Sequence, residues 1–155
     1  MNAPSEENAY LTDHAALLNE SHARLIGRPL IPEKNSPAAL GETLFRAAFA
    51  VLSSGTEADP VFNYANETAL RLFELDWTSL ITMPARESAE RADQDTRAAL
   101  MRKVEQTGFI EDYCGVRISA GGHRFMIEHA TVWNVTDAAG CLCGQAATFG
   151  AWRFL

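Results

Sequence analysis

The sequence predicts an α+β domain: a five-stranded antiparallel sheet with helices mainly on one face, plus an N-terminal helical extension. Three observations carry this. Apolar residues recur at helical spacing before residue 49. Two short apolar runs then flank a turn-rich loop, SGTEADP, and lead into a helical cluster. From residue 109 onward three alternating runs are separated by turns. Strands gathered into an early hairpin and a late meander, with helices between, make one sheet with segregated helices.

Leu11, Ala15, Leu18, His22 and Leu25 fall three or four apart, so Leu11 to Ile26 is an amphipathic helix. Thr12 and Asp13 are its candidate caps, and Gly27 with Pro29 stops it. RPLIPEKNSP reads as a proline-rich linker. A second helix starts with Ser36 as N-cap and Pro37 at the first helical position, with Leu40, Leu44 and Ala48 inward.

Ala50–Ser53 and Val61–Ala65 form a hairpin with a long loop. Asn66 caps a helix over Glu67–Leu75 that buries Ala69, Leu70 and Phe73, and Asp76 caps a short turn carrying Trp77 and Leu80. MPARESAE is irregular, and a longer helix runs from about Asp93 to Thr107, with Leu100, Met101 and Val104 inward. Phe109–Ser119, Arg124–Val135 and Leu142–Trp152 are the closing strands. Strict alternation puts Phe125, Ile127, His129, Thr131 and Trp133 on one face of the second of these. Phe125, Ile127, Val116 and Ile118 are the expected buried positions.

A length of 155 residues suits one domain, and 47% hydrophobic residues suffice to fill one core. The net charge of −7 and the lack of any Lys/Arg run argue against nucleic-acid binding. The N-terminus is acidic, with no apolar signal segment, and no run is long enough to span a bilayer. The expectation is therefore a cytoplasmic protein with no membrane partner. Cys114, Cys141 and Cys143 make an odd set with CxC rather than CxxC spacing, and the histidines add no zinc pattern. No metal site and no disulfide framework are expected.

Six polar residues stand out as candidate ligand contacts. Asn63 and Tyr64 alternate on a short strand, so one of them faces the helices and needs a partner. Arg117 and Glu128 lie on neighbouring strands and are expected to pair across the Gly121-Gly122 turn; an Arg facing a pocket is a fork for an anion. His129 shares its expected face with Phe125 and Ile127, and Gln145 interrupts an apolar strand. Glu57 and Asp59 could do acid–base work, but an acidic turn that caps backbone N–H groups accounts for them more simply. Ser54 and Ser88 have no GxSxG context, and no glycine-rich phosphate loop is present.

Six ordered blocks make this chain similar to the MEKHLA family: SGTEADPVFNYAN, ALRLFELDW, PARESAE, GFIEDYCGVRISAGGHRF, IEHATVWNV and GQAATF. The resemblance implies a PAS-like fold, with residues 1–36 as an N-terminal helix and linker and residues 37–155 as the PAS-like domain. The family occurs at the C-terminus of class-three homeodomain–leucine-zipper transcription factors of plants and as short free-standing proteins in bacteria and algae. This chain resembles the free-standing kind. In the plant factors the domain regulates dimerisation and protein contacts, and no enzymatic activity is generally assigned to it. This sequence departs from the common HGTEADP in carrying Ser54.

The function expected is a sensory, ligand-binding or protein-interaction module that acts by association; a small enzyme using the same cavity, or a filled interaction domain, is the alternative. The ligand and any cofactor are unidentified. A homodimer is expected, because the stripe on Leu11–Ile26 needs cover and the second face of the sheet could supply it from another subunit; the alternative is that the helix folds back onto its own domain.

Overall fold

A computed structural model describes residues 1–32 and 37–155 of the chain. The expected Ser36 cap, and the linker from Glu33 to Ser36, lie outside the described residues. Helix α1 spans Thr12–Ile26 and α2 spans Pro37–Phe45. Strands β1 (Ala50–Ser54) and β2 (Phe62–Ala65) precede helices α3 (Glu67–Phe73), α4 (Trp77–Leu80) and α5 (Arg91–Thr107). Strands β3 (Phe109–Ile118), β4 (Arg124–Thr136), β5 (Leu142–Phe149) and β6 (Ala151–Phe154) follow.

The sheet runs β2-β1-β5-β4-β3, with every neighbouring pair antiparallel. β6 pairs with Phe125–Glu128 of β4 and β5 with Thr131–Thr136. These two short strands therefore continue each other along one edge of β4, and the sheet is five strands wide.

Local chemistry explains where the helices begin. The Asn66 side chain accepts from Ala69 N and that of Asp76 from Ser79 N, so both expected caps are in place. Asn66 does more: it is fully buried, accepts from Val51 N (3.0 Å), and donates to Leu44 O (3.1 Å) and Phe49 O (2.8 Å). One amide thus ties α2, β1 and α3 together. Gly27, at φ 90°, closes α1 as expected. Neither Thr12 nor Asp13 is the cap there: Leu11 holds that position, in the left-handed region. Ala48 falls beyond the end of α2 and is exposed, so it is not on an inner face.

α5 lies on one face of the sheet. Gln145 donates to Met101 O (2.9 Å) and Asn134 to Glu105 O (3.1 Å), fastening β5 and β4 to it. The other face belongs to α1. Trp133 Nε1 donates to Ser21 Oγ (3.0 Å), and His22 packs edge-on against the Trp133 ring. His14 stacks on Tyr64 and meets Ser53 Oγ at 2.9 Å. Ala15, Leu18 and His22 are buried by this docking, and Leu11 and Leu25 pack at its margin. Burying one leucine contributes about 1.5–3 kcal/mol, so the stripe is satisfied within the chain. The second face of the sheet is not open, and the premise for a dimer through α1 is gone.

Among the described residues no helix is long and apolar enough to cross a membrane.

Candidate functional site

The face of the sheet under α5 holds a cavity of about 50 Å³. Its apolar wall is Leu52, Phe62, Met101, Ile127, Val132 and Phe149. Register explains the wall. Leu52 pairs with Ala147, Val132 also pairs with Ala147, and Ala50 pairs with Phe149, so these side chains share one pleat direction.

Arg117 enters the cavity because it stands opposite Phe125, with Gly115 opposite Ile127. Arg117 is only 6% exposed. Its guanidinium lies 5.6 Å from the centre of the Tyr113 ring, donates to Tyr113 Oη (3.2 Å) and donates to Val116 O (2.8 Å). Gly115 makes the room for this stack, since a Cβ there would come within 2.2 Å of Tyr113 Oη and 3.0 Å of Arg117 Nη1. The Arg117–Glu128 pair does not form. Glu128 points to the opposite face, 3.8 Å from Arg153. The connection between β3 and β4 is the wider turn Ser119–His123, closed by Ser119 N→His123 O, and this moves the register away from the expected one. By the same shift Val116 and Ile118 are half-buried on the other face, whereas Phe125 and Ile127 are buried.

Arg97 of α5 is the second cation on the cavity. It has no ion-pair or hydrogen-bond partner among the described residues. Burial is the main reason its pKa is pushed down to about 10, with the Arg117 charge adding to the effect. Arg97, Met101 and Val104 repeat at i, i+4 and i+7, so a cation on the inner stripe of α5 was visible in the sequence. Tyr113 and Ser88 also line the cavity; nothing in the sequence singles out Tyr113, and Ser88 enters there only as a serine without a nucleophile context.

A wider groove of about 490 Å³ adjoins the cavity along the Ser54–Pro60 loop and shares Ser54, Arg97, Met101 and Gln145 with it. Gln145 is held at this junction by Met101 O and by Asn134 Oδ1 (3.3 Å). The loop carboxylates have local duties. Glu57 accepts from Val61 N (2.9 Å), and Asp59 pairs with Arg86 (3.1 Å).

Besides Glu128, three expected contacts lie elsewhere. Asn63 accepts from Ser53 Oγ (2.6 Å) and does not line the cavity. Tyr64 is fully buried beneath α1, against His14 and edge-on to Trp77; its Oη has no hydrogen-bond partner among the described residues, and burial pushes its pKa up. His129 is exposed rather than facing Phe125 and Ile127. It adopts φ 52° in a bulge opposite Asp112 (φ 55°), whose carboxylate it binds. Beyond this bulge the alternation reverses, so Val132 faces the cavity and Trp133 faces α1. Cys141 and Cys143 do not line the cavity, and among the described residues no group of three potential ligands gathers for a metal.

Comparison with known proteins agrees with this geometry. Residues 12–154 match the sequence model of the MEKHLA domain. The homeobox-leucine zipper proteins ATHB-9 and ATHB-14 of Arabidopsis thaliana are 30% identical over 130 residues and 32% identical over 103 residues. These matches cover 78% and 64% of this chain but only 15% and 12% of the plant proteins. Among solved structures, an RNA-binding light-oxygen-voltage receptor superposes with a TM-score of 0.64 at 20% identity, covering 77% of this chain and 34% of that one. The PAS domain of a Colwellia psychrerythraea protein gives 0.61 at 13%, covering 74% and 92%. A light-oxygen-voltage domain studied with a flavin analogue gives 0.60 at 14%, covering 76% and 84%. The fold is PAS-like. Sites for drug-sized ligands span roughly 300–1,000 Å³, so a cavity of about 50 Å³ does not enclose a flavin.

Proposed function

Because this chain belongs to the MEKHLA domain family, we propose that it is a PAS-like sensory module, which binds a small molecule between the sheet and α5 and passes the signal on by association. The observation that carries this reading is the convergence of Arg97, Arg117, Tyr113 and Gln145 on an otherwise apolar cavity beneath one helix. A few placed polar groups in an apolar concavity are the usual composition of a ligand site. The groove along Ser54–Pro60 supplies the entrance, and α5 is the element a ligand would shift. Glu57, His129 and Arg117, the groups an enzyme reading would use, do not meet in one place. A homodimer, if formed, uses surfaces other than the α1 stripe.

The test is native mass spectrometry of the purified chain, with hydrogen exchange on α5. A bound small molecule that slows exchange in Arg91–Thr107 is the expected result. The small size of the cavity favours one other reading, a protein-interaction domain with a filled core. An unmodified mass, together with α5 exchange that no small molecule alters, supports that reading instead.

A further inference from the structure

We infer that the cavity under α5 takes a short aliphatic monocarboxylate, held between the guanidinium groups of Arg97 and Arg117. The inference deepens the ligand-module reading and rests on it.

The starting point is an unbalanced charge. Arg97 and Arg117 line one cavity, and among the described residues no carboxylate lines it with them. Three acids line the adjoining groove instead. There Glu57 is engaged by Val61 N, Asp59 is paired with Arg86, and Glu105 sits on an exposed turn of α5. Arg117 is buried and Arg97 half-buried, and a cation drawn out of water without a counter-charge is costly, the more so beside another of like sign. Arg117 directs two N–H groups to neutral acceptors and Arg97 directs none to any described residue, so most donors of both forks are free. A carboxylate satisfies both deficits, as it accepts up to four hydrogen bonds and cancels one charge.

The walls select the rest of the ligand. Leu52, Phe62, Ile127, Val132 and Phe149 offer only hydrocarbon. A cavity of about 50 Å³ admits a few heavy atoms beyond the carboxylate, and any longer tail has to leave past Gln145 into the groove. Inorganic phosphate lacks the apolar body that these walls would cover, and its hydration is harder to replace.

The experiment uses the full chain, with butyrate, butyramide and inorganic phosphate as probes in calorimetric and NMR titrations. Butyrate is expected to bind at least about tenfold more tightly than its neutral isostere butyramide, and more tightly than phosphate. Arg97→Gln is expected to lose at least about tenfold of the butyrate affinity, while melting at or above the wild-type temperature because the repulsion with Arg117 is relieved. Arg97→Met gives a second, uncharged variant should the first fold poorly. Equal binding of butyrate and butyramide, or unchanged butyrate affinity in a folded Arg97 variant, overturns the inference. If no probe binds but native mass spectrometry shows another small molecule, the carboxylate class fails and the ligand module stands. If neither is seen, both fail.

Discussion

Asp112 and His129 face each other across β3 and β4, both in the left-handed region, and their side chains are bonded at the surface. Two non-glycine residues at positive φ in adjacent strands are uncommon. Their pairing marks the point where β4 exchanges its two faces.

That pair has a titration signature. The hydrogen bond from Asp112, followed by its charge, raises the His129 pKa above the ordinary 6.5. Its stabilising effect is therefore full below pH 6.5 and fades as pH rises through the raised value. Asp112→Asn should bring the His129 titration midpoint down in an NMR pH series. An unmoved midpoint would show that the bond does not persist in solution.

His22 responds in the opposite sense. It is 4% exposed, and burial is the main reason its pKa falls below 6.5. The unfolded chain takes up this proton first, so stability is undiminished above about pH 6.5 and declines on acidification until the folded value is passed. Urea midpoints at pH 7.5 and pH 5 in a His129→Ala background should differ, with a slope of at most about 1.4 kcal/mol per pH unit for one group. His22→Gln should reduce the difference, leaving the share of His14, whose pKa burial also lowers.

Asn66 carries more than its cap. Asn66→Asp keeps the acceptor for Ala69 N and Val51 N but turns a carboxylate oxygen toward Leu44 O and Phe49 O. The loss should exceed that of removing an ordinary cap, about 1 kcal/mol, and reach roughly 2–4 kcal/mol. Denaturant unfolding reads it directly; a loss under 1 kcal/mol would mean that the two carbonyls find other donors.

Ile127→Ala should cost about 2–5 kcal/mol, because the side chain is buried and lines a space that cannot fully collapse. Val116→Ala, half-buried on the other face, should cost clearly less. Equal losses would return the register to the one read from alternation alone.

Much of the architecture was legible because local signals agreed. Asn66 and Asp76 cap the helices they were expected to cap, Gly27 stops α1, and three alternating runs close the sheet. The errors share one origin. Alternation predicts faces only while a strand has no bulge; Asp and His tolerate the left-handed region better than most residues, but that tolerance alone does not place a bulge at Asp112 and His129. Turn length misled in the same way: Ala120-Gly121-Gly122 suggested a tight reversal, but the loop extends to His123, and Arg117 came to face Phe125 instead of Glu128. A cation on a helix ordinarily faces solvent, so residue type alone does not mark Arg97, although its spacing from Met101 and Val104 places it inward.

The clasp between α1 and β4 has a consequence in time. Ser21 and Trp133, like Arg24 and Thr136, are 112 positions apart. Synthesis at about 5–20 residues per second separates such partners by roughly 6–20 s. For that interval the newborn helix has α2 to lean on but no sheet, and its apolar stripe is available to chaperones or to neighbouring nascent chains. The fold can close only after β4 has left the ribosome, so α1, made well before the sheet, is seated only once most of the sheet exists.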